Sequence, residues 1–421
     1  MPAARQRLTP MNASIPPPSL QPLLAERYAQ VRARSVALAA PLSEADCQAQ
    51  SMPDASPIKW HLAHMTWFFE TFVLEPFEPG FRVHHPAWRV LFNSYYHGVG
   101  AQHPRPQRGL LTRPSLAEVQ AWRVDIDRRV QALLAAPGHA GLAERVALGL
   151  QHEQQHQELM LTDLLHLFSC NPLAPAYGPD PVAPHAAGPD AWVSFDGGPV
   201  EIGADAGGFA FDNELPRHRQ WLAPFALASR LVTQGEWAGF IADGGYRDPR
   251  WWLAAGWDAV RAQHLEAPLY WRRDGSTWQV FTLQGLQPLV AQAPARHLSY
   301  FEADAYARWC GAQQGRPLRL PTEAEWEHAV RERAQALQQV FGAAWQWTQS
   351  AYLAYPGFRP GAGAVGEYNG KFMIDQMVLR GSSLATPEGH ARVSYRNFFP
   401  SSARWQFSGL RLACDLGAPA A

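Results

Sequence analysis

The chain is predicted to be an α+β protein, an N-terminal four-helix bundle followed by a loop-rich domain of short strands and short helices. Three observations predict this. Apolar residues recur at helical spacing over long segments from about Leu20 to Ser169. Six prolines then crowd residues 171–190, a composition that reads as a linker. Beyond it, glycines, tryptophans and short β-type runs replace the long helical periods.

The first helix is expected over residues 20–40 from its apolar periodicity. Ser56 as N-cap, with Pro57 at the first helical position, opens a second helix running through Leu74. Serine oxygen caps free N–H groups there, and proline needs none. A third helix spans 115–134, and a fourth about 142–168. Between the second and third lies a long irregular stretch, 75–114, rich in Pro, His, Arg and Tyr. A connection of that length within a compact domain is usually functional or disordered. The domain limits follow as 18–170 for the bundle, 171–190 for the linker and 191–418 for the second domain. In the latter, Thr233 with Glu236, Ser299 with Glu302 and Thr322 with Glu325 have capping-box spacing and mark three short helices. Residues 345–416 read as turns and short strands.

Hydrophobic residues make up 47% of the 421 and charged ones 17%, which suits a soluble enzyme. A formal net charge of -1 argues against a nucleic-acid binder, which would carry a basic excess. The four cysteines, Cys47, Cys170, Cys310 and Cys414, stand far apart and suggest neither a zinc ribbon nor a disulfide framework. The polar, Pro-rich residues 1–19 lack the apolar core of a secretory signal, and no apolar run is long enough to span a membrane. A reducing, cytoplasmic setting is expected.

The most informative segment is Gln151-His152-Glu153-Gln154-Gln155-His156-Gln157-Glu158. His152 and His156 are four apart on a helix, so both imidazoles share one face and read as half of a metal site. The letters also match the zinc-protease helix H-E-x-x-H. That reading weakens because Leu159 and Thr162 stand where its extension needs glycine and histidine, and the linker begins too soon for a downstream carboxylate. A third ligand is better sought upstream, at His61 or His64 on the second helix, which spacing alone does not rank. Three neutral imidazoles would leave positions open and suit Fe(II) or Zn(II).

Longer motifs extend the reading. The N-terminal half holds W-H-L-A-H-x-T-W-F-F-E (60–70), N-S-Y-Y (93–96), H-P-R-P-Q-R-G-L-L (103–111) and H-E-Q-Q-H-Q-E (152–158). The C-terminal half holds R-L-P-T-E-A-E-W-E (319–327), W-Q-W-T (345–348), L-R-G-S (379–382) and G-L-R-L-A (409–413). In this order they resemble the ergothioneine-biosynthesis sulfoxide synthases over nearly the whole chain. The resemblance implies a DinB-like bundle followed by a C-type-lectin-like, formylglycine-generating-enzyme-like domain. It implies a non-haem Fe(II) enzyme that uses O2 to join the sulfur of cysteine or γ-glutamylcysteine to imidazole C2 of hercynine, giving a sulfoxide.

On that resemblance the metal ligands are His64, His152 and His156. Gln155 holds hercynine, and Tyr95 or Tyr96 supplies an active-site phenol. Tyr395, Arg396, Asn397, Phe398 and Phe399, with Arg404, occupy the substrate-facing segment, with Asn397 and Phe398 receiving the trimethylammonium group. Arg105, Arg108 and Arg113 are candidates to clamp a substrate carboxylate. Relatives that use γ-glutamylcysteine carry an acidic residue near Phe399, and its absence favours free cysteine. The alternatives are a selenoneine-type synthase taking a selenosugar, a synthase using another histidine derivative, or a DinB-type metal-dependent thiol S-transferase. A formylglycine-generating oxidase would need a cysteine pair within 395–404, where there is none, and a lectin-like binding module would not depend on His152.

Overall fold

The computed structural model describes residues 20–417 apart from 137, 179–187 and 189. The N-terminal stretch 1–19, most of the Pro-rich half of the expected linker, and residue 418 lie outside the described residues. The N-terminal half is α1 (Leu20–Ala39), α2 (Glu44–Gln48), α3 (Ile58–Phe69), α4 (Glu75–Phe77), α5 (Trp88–Leu91), α6 (Leu116–Ala135) and α7 (Leu142–Ser169). The long helices α1, α3, α6 and α7 pack as a bundle around an aromatic core that includes Tyr28, Trp67, Phe68, Phe69 and Trp122. α6 begins within one residue of the expected start, on a capping box of Ser115 and Glu118.

The second helix departs from expectation at both ends. Pro57, not Ser56, stands at the N-cap, and Ser56 instead accepts a hydrogen bond from Arg108 at 2.8 Å. Regular α-geometry stops at Phe69, a π-turn follows over Glu70–Leu74, and α4 carries the chain on to Phe77. The stretch 75–114 is also less irregular than expected, since it contains α4, α5 and a 3-10 turn over Arg105–Leu110.

α3 and α7 approach closely where it matters for the site. A Cβ on Gly149 would lie 2.6 Å from the Phe69 ring, so only glycine lets the helices meet there, one turn before His152. Behind α7, Glu153 accepts hydrogen bonds from Ser35 Oγ at 2.6 Å, from Arg32 Nη1 at 2.9 Å and from Arg123. Arg32 Nε also pairs with Asp127 at 2.6 Å. This buried ion cluster links α1, α6 and α7 and fixes the rotation of α7 about its axis.

The C-terminal strands begin with β1 (Trp192–Phe195), β2 (Gly198–Ile202), β3 (His218–Leu222) and β4 (Phe225–Ala228). Next come β5 (Trp271–Asp274), β6 (Thr277–Thr282) and β7 (Gly285–Pro288). The last are β8 (Ala344–Ala351), β9 (Met377–Ser382), β10 (Asn397–Phe399), β11 (Ser408–Gly409) and β12 (Ala413–Asp415). They form the sheets β1-β4-β12, β10-β9-β8-β11, β2-β3 and β5-β6-β7. Interleaved helices are α8 (Gln234–Ala242), α9 (Ala254–Gln263), α10 (Tyr300–Gln314) and α11 (Glu323–Arg333), and all three expected capping boxes form, on α8, α10 and α11.

The C-terminal sequence motifs build this core. Trp326 Nε1 and Arg411 Nε both donate to Gln346 Oε1, at 2.8 and 3.0 Å, while Arg380 pairs with buried Glu327. Such polar groups tolerate burial because each has a partner. Arg404 belongs to the same class and departs from its expected role. Its guanidinium pairs with Glu302 through two 2.8 Å bonds and lies away from the cavity residues described next.

Candidate metal centre

The middle of α7 is polar all round, and each face has its own partner. Glu153 and Gln157 face α1, where Gln157 Nε2 donates to Val31 O at 2.8 Å and to Ser35 Oγ at 2.9 Å. Gln151, Gln154, Gln155 and Glu158 face the C-terminal domain. Gln151 Oε1 contacts His390 Nδ1 at 2.7 Å, and Gln154 Nε2 donates to Glu388 O at 3.1 Å. Glu158 accepts from Trp345 Nε1 at 2.7 Å and Thr386 Oγ1 at 2.9 Å. His152 and His156 are left facing α3. The spacing of 3.6 residues per turn sorts the segment into these three stripes.

There they meet His64. One ligand nitrogen from each of His64, His152 and His156 lies within 4.8 Å of the others, and all three residues are buried. The His64 ring is stacked between Trp60 and Trp67, with centroids at 4.7 and 5.4 Å, and His152 packs on Phe68 at 4.5 Å. Burial pushes His152 down to about 3, and burial and then the neighbouring His152 hold His64 and His156 well below the usual range. All three are therefore neutral imidazoles, the form that binds metals. Neither ring nitrogen of His152, nor Nε2 of His64, has a hydrogen-bond partner among the described residues. Buried polar nitrogens left unpaired are costly, and one nitrogen from each of three converging imidazoles is a donor set that fits a divalent metal ion.

His61 is not in this group. Its Nδ1 lies 2.8 Å from His156 Nδ1, and its Nε2 lies 3.0 Å from Asp163 Oδ2. Glu153 also points away from the histidines, into the cluster of Arg32 and Arg123, so the general base of the zinc-protease reading has no place here.

A cavity of about 230 Å³ opens beside His152 and His156, walled by both domains. Of the residues expected from sequence, Tyr95, Arg105, Arg108, Gln155, Asn397, Phe398 and Phe399 line it. Tyr96 does not, being fully buried behind Tyr95 at a ring distance of 4.6 Å. Arg113 is turned to its own loop, donating to Thr112 O at 2.9 Å. Arg108 is held by Ser56 and by Ser94 Oγ at 3.0 Å, with its guanidinium 3.3 Å above the Trp60 ring. Phe398 stacks on Tyr352 at 4.0 Å and on Phe372 at 5.9 Å, and lines the cavity with Phe372.

Tyr368 and Phe372 line the cavity and escaped the sequence reading, whereas Tyr395 lies in the expected substrate-facing segment. Tyr368 donates to Gln155 Oε1 and its ring lies 5.7 Å from that of His152; Gln155 Nε2 in turn donates to Tyr395 OH at 2.6 Å. Gln155 is thus oriented from both sides by the C-terminal domain. Glu367 ties the Tyr368 segment to the N-terminal loop by accepting the N–H groups of His97 and Gly98, at 2.9 and 2.6 Å. No sequence period connects positions more than 200 apart.

The buried histidines make acid stability a readout of the packing. Burial holds His152, His297 and His390 each down to about 3. Unfolded, they return to near 6.5, so between those values the unfolded chain binds more protons and stability falls as the pH drops. Each group costs up to about 1.4 kcal/mol per pH unit below about 6.5. The metal-free protein should therefore unfold at a lower urea concentration at pH 5.5 than at pH 7.5, and an unchanged midpoint would contradict these burials.

Comparison with known proteins places the site in context. Residues 27–160 match the DinB superfamily, and residues 180–337 match the sulfatase-modifying factor enzyme 1-like domain. The chain is 33% identical to a hercynine oxygenase of Mycobacterium tuberculosis over 93% of its own length and 99% of that protein. The chain belongs to the hercynine oxygenase family. A second hercynine oxygenase, from Mycolicibacterium thermoresistibile, is 32% identical over 93% of this chain and 95% of its own. A formylglycine-generating enzyme of Streptomyces coelicolor is 32% identical over 36% of this chain and 53% of its own length. That likeness is partial, whereas the likeness to hercynine oxygenases covers 93% of the chain. Among the described residues no helix is long and apolar enough to cross a membrane.

Proposed function

We propose that this chain is a non-haem Fe(II) oxygenase that joins the sulfur of cysteine to imidazole C2 of hercynine with O2, forming the sulfoxide of ergothioneine biosynthesis. One observation carries the reading. His64, His152 and His156 converge beside a cavity walled by both domains, in a chain of the hercynine oxygenase family. These three residues would hold the metal, and three neutral nitrogen donors leave further positions open. When bound, Fe(II) would supply the redox chemistry that activates dioxygen.

The chain's own residues would do the rest. Gln155, fixed by Tyr368 and Tyr395, presents its amide to an imidazole substrate. Asn397 and the Phe398 face offer a dipole and a π-surface to a trimethylammonium group. Of Tyr95 and Tyr96, Tyr95 is the one whose phenol lines the cavity, and burial pushes it up to about 12, so it remains a proton donor at neutral pH. Arg105, exposed at the rim, attracts the carboxylate of an amino-acid thiol. Phe399 brings no negative charge, and the lining carboxylate Glu158 is already engaged by Trp345, Ser383 and Thr386. Neither suits a γ-glutamyl amine, which favours free cysteine over γ-glutamylcysteine. A free thiol and ferrous iron fit a reducing, cytoplasmic compartment.

The test is anaerobic reconstitution with Fe(II), followed by O2, hercynine and one donor at a time, with products read by mass spectrometry. Sulfoxide should form with cysteine faster than with γ-glutamylcysteine. Product from a selenosugar alone would replace the sulfur donor, and no sulfoxide with either thiol would overturn the assignment.

A further inference from the structure

We propose that Asp163 and His61 together set the tautomer of His156 and so aim its Nε2 at the metal. This rests on the three-histidine reading of the centre. His61 is buried on α3, three residues before His64, and both of its ring nitrogens are engaged. Asp163 Oδ2 accepts the backbone N–H of Ser56 at 2.8 Å and meets His61 Nε2 at 3.0 Å. A carboxylate only accepts, so the hydrogen of this second contact sits on His61 Nε2. A neutral imidazole carries a single ring hydrogen, which leaves His61 Nδ1 as an acceptor. In the 2.8 Å contact between the two Nδ1 atoms, His156 must then be the donor. Its lone pair is consequently on Nε2.

His64 reaches the same state by another route. Its Nδ1 lies 2.6 Å from the carbonyl oxygen of Phe92, which also only accepts, so its lone pair is on Nε2 as well. Two of the three histidines thus have their ligating nitrogen chosen by the protein before any metal arrives. His152 has no partner on either nitrogen among the described residues, so no hydrogen bond there selects its tautomer. His61, which helical spacing offers as a rival ligand, is a positioning residue. Partners of this kind orient the ligand ring and raise its basicity, and their loss typically costs about 10–100-fold in metal affinity.

The test uses Co(II) as the probe of the full-length, metal-free protein. His61→Phe keeps an aromatic ring beside Trp60 and removes both nitrogens. Asp163→Asn keeps an acceptor oxygen and removes the charge. Dissociation constants and the visible d–d bands of bound Co(II) are compared, with melting temperatures of the metal-free forms measured alongside. His61→Phe should weaken binding roughly 10–100-fold and shift the bands, whereas Asp163→Asn should keep the band positions and lose less affinity. Wild-type affinity and bands in His61→Phe would overturn the proposal. If that variant does not fold, imidazole 15N spectra of the metal-free wild type decide instead. A hydrogen on Nδ1 of His156 supports the relay, and a hydrogen on Nε2 overturns it. His64→Ala separates the two levels. Undiminished Co(II) binding there would remove the metal centre itself, whereas its loss beside a wild-type-like His61→Phe would remove the relay alone.

Discussion

His152→Ala is expected to abolish metal binding and turnover together. His152 supplies one of three converging nitrogens, and it is the one that makes no other hydrogen bond among the described residues. Its removal therefore breaks no other polar contact, and the loss should be confined to the centre. Two histidines would remain, so affinity should fall by more than the roughly 10–100-fold that partners of ligands cost. Metal content by mass spectrometry, circular dichroism and product formation are measured on the same preparation. A folded, metal-free and inactive protein is the expected result. Retained metal with full turnover would mean that the His64, His152 and His156 group is not the active centre.

Glu153→Gln should give the largest loss of stability. The carboxylate is fully buried and neutralises Arg32 and Arg123, and the two guanidiniums hold its own pKa below the ordinary value against the opposing effect of burial. Removing one partner of a buried ion pair while leaving the others costs about 3–5 kcal/mol, because a charge then stays buried without compensation. The amide keeps the shape and some hydrogen bonds, so the effect comes from charge. Chemical denaturation should show an earlier unfolding transition, and metal affinity should weaken with it because Glu153 sits between the histidines on α7. An unchanged transition would show that water or a counter-ion reaches this cluster.

Much of the architecture was legible in the sequence because it rests on local rules. The long helices follow from apolar spacing, and the three capping boxes on α8, α10 and α11 follow from a serine or threonine three residues before a glutamate. The second helix was misread where local rules meet tertiary demands. Ser56 is drawn off to Arg108, and a π-turn replaces regular helix at Glu70. Arg404 shows the opposite failure. An arginine near a substrate-facing segment invites a role in binding, yet its distant partner Glu302 takes the Nε and Nη2 edge of the guanidinium.

By itself the sequence determined that His152 and His156 share one helical face, since four residues make about one turn. It also determined that one of two upstream histidines, three apart on a second helix, was available to join them. Which one does so was decided by the tertiary structure, because the 3.6-residue period puts His61 and His64 at slightly different angles to α7. His64 turns its free nitrogen to the pair, while His61 meets Asp163 and the far side of His156. The fate of Glu153 was decided in the same way. Its letters suit a catalytic base, but the rotation of α7, set by Arg32, Arg123 and the close approach at Gly149, turns it away from the cavity. Spacing along one helix specifies which side chains share a face, and packing against other helices specifies what that face meets.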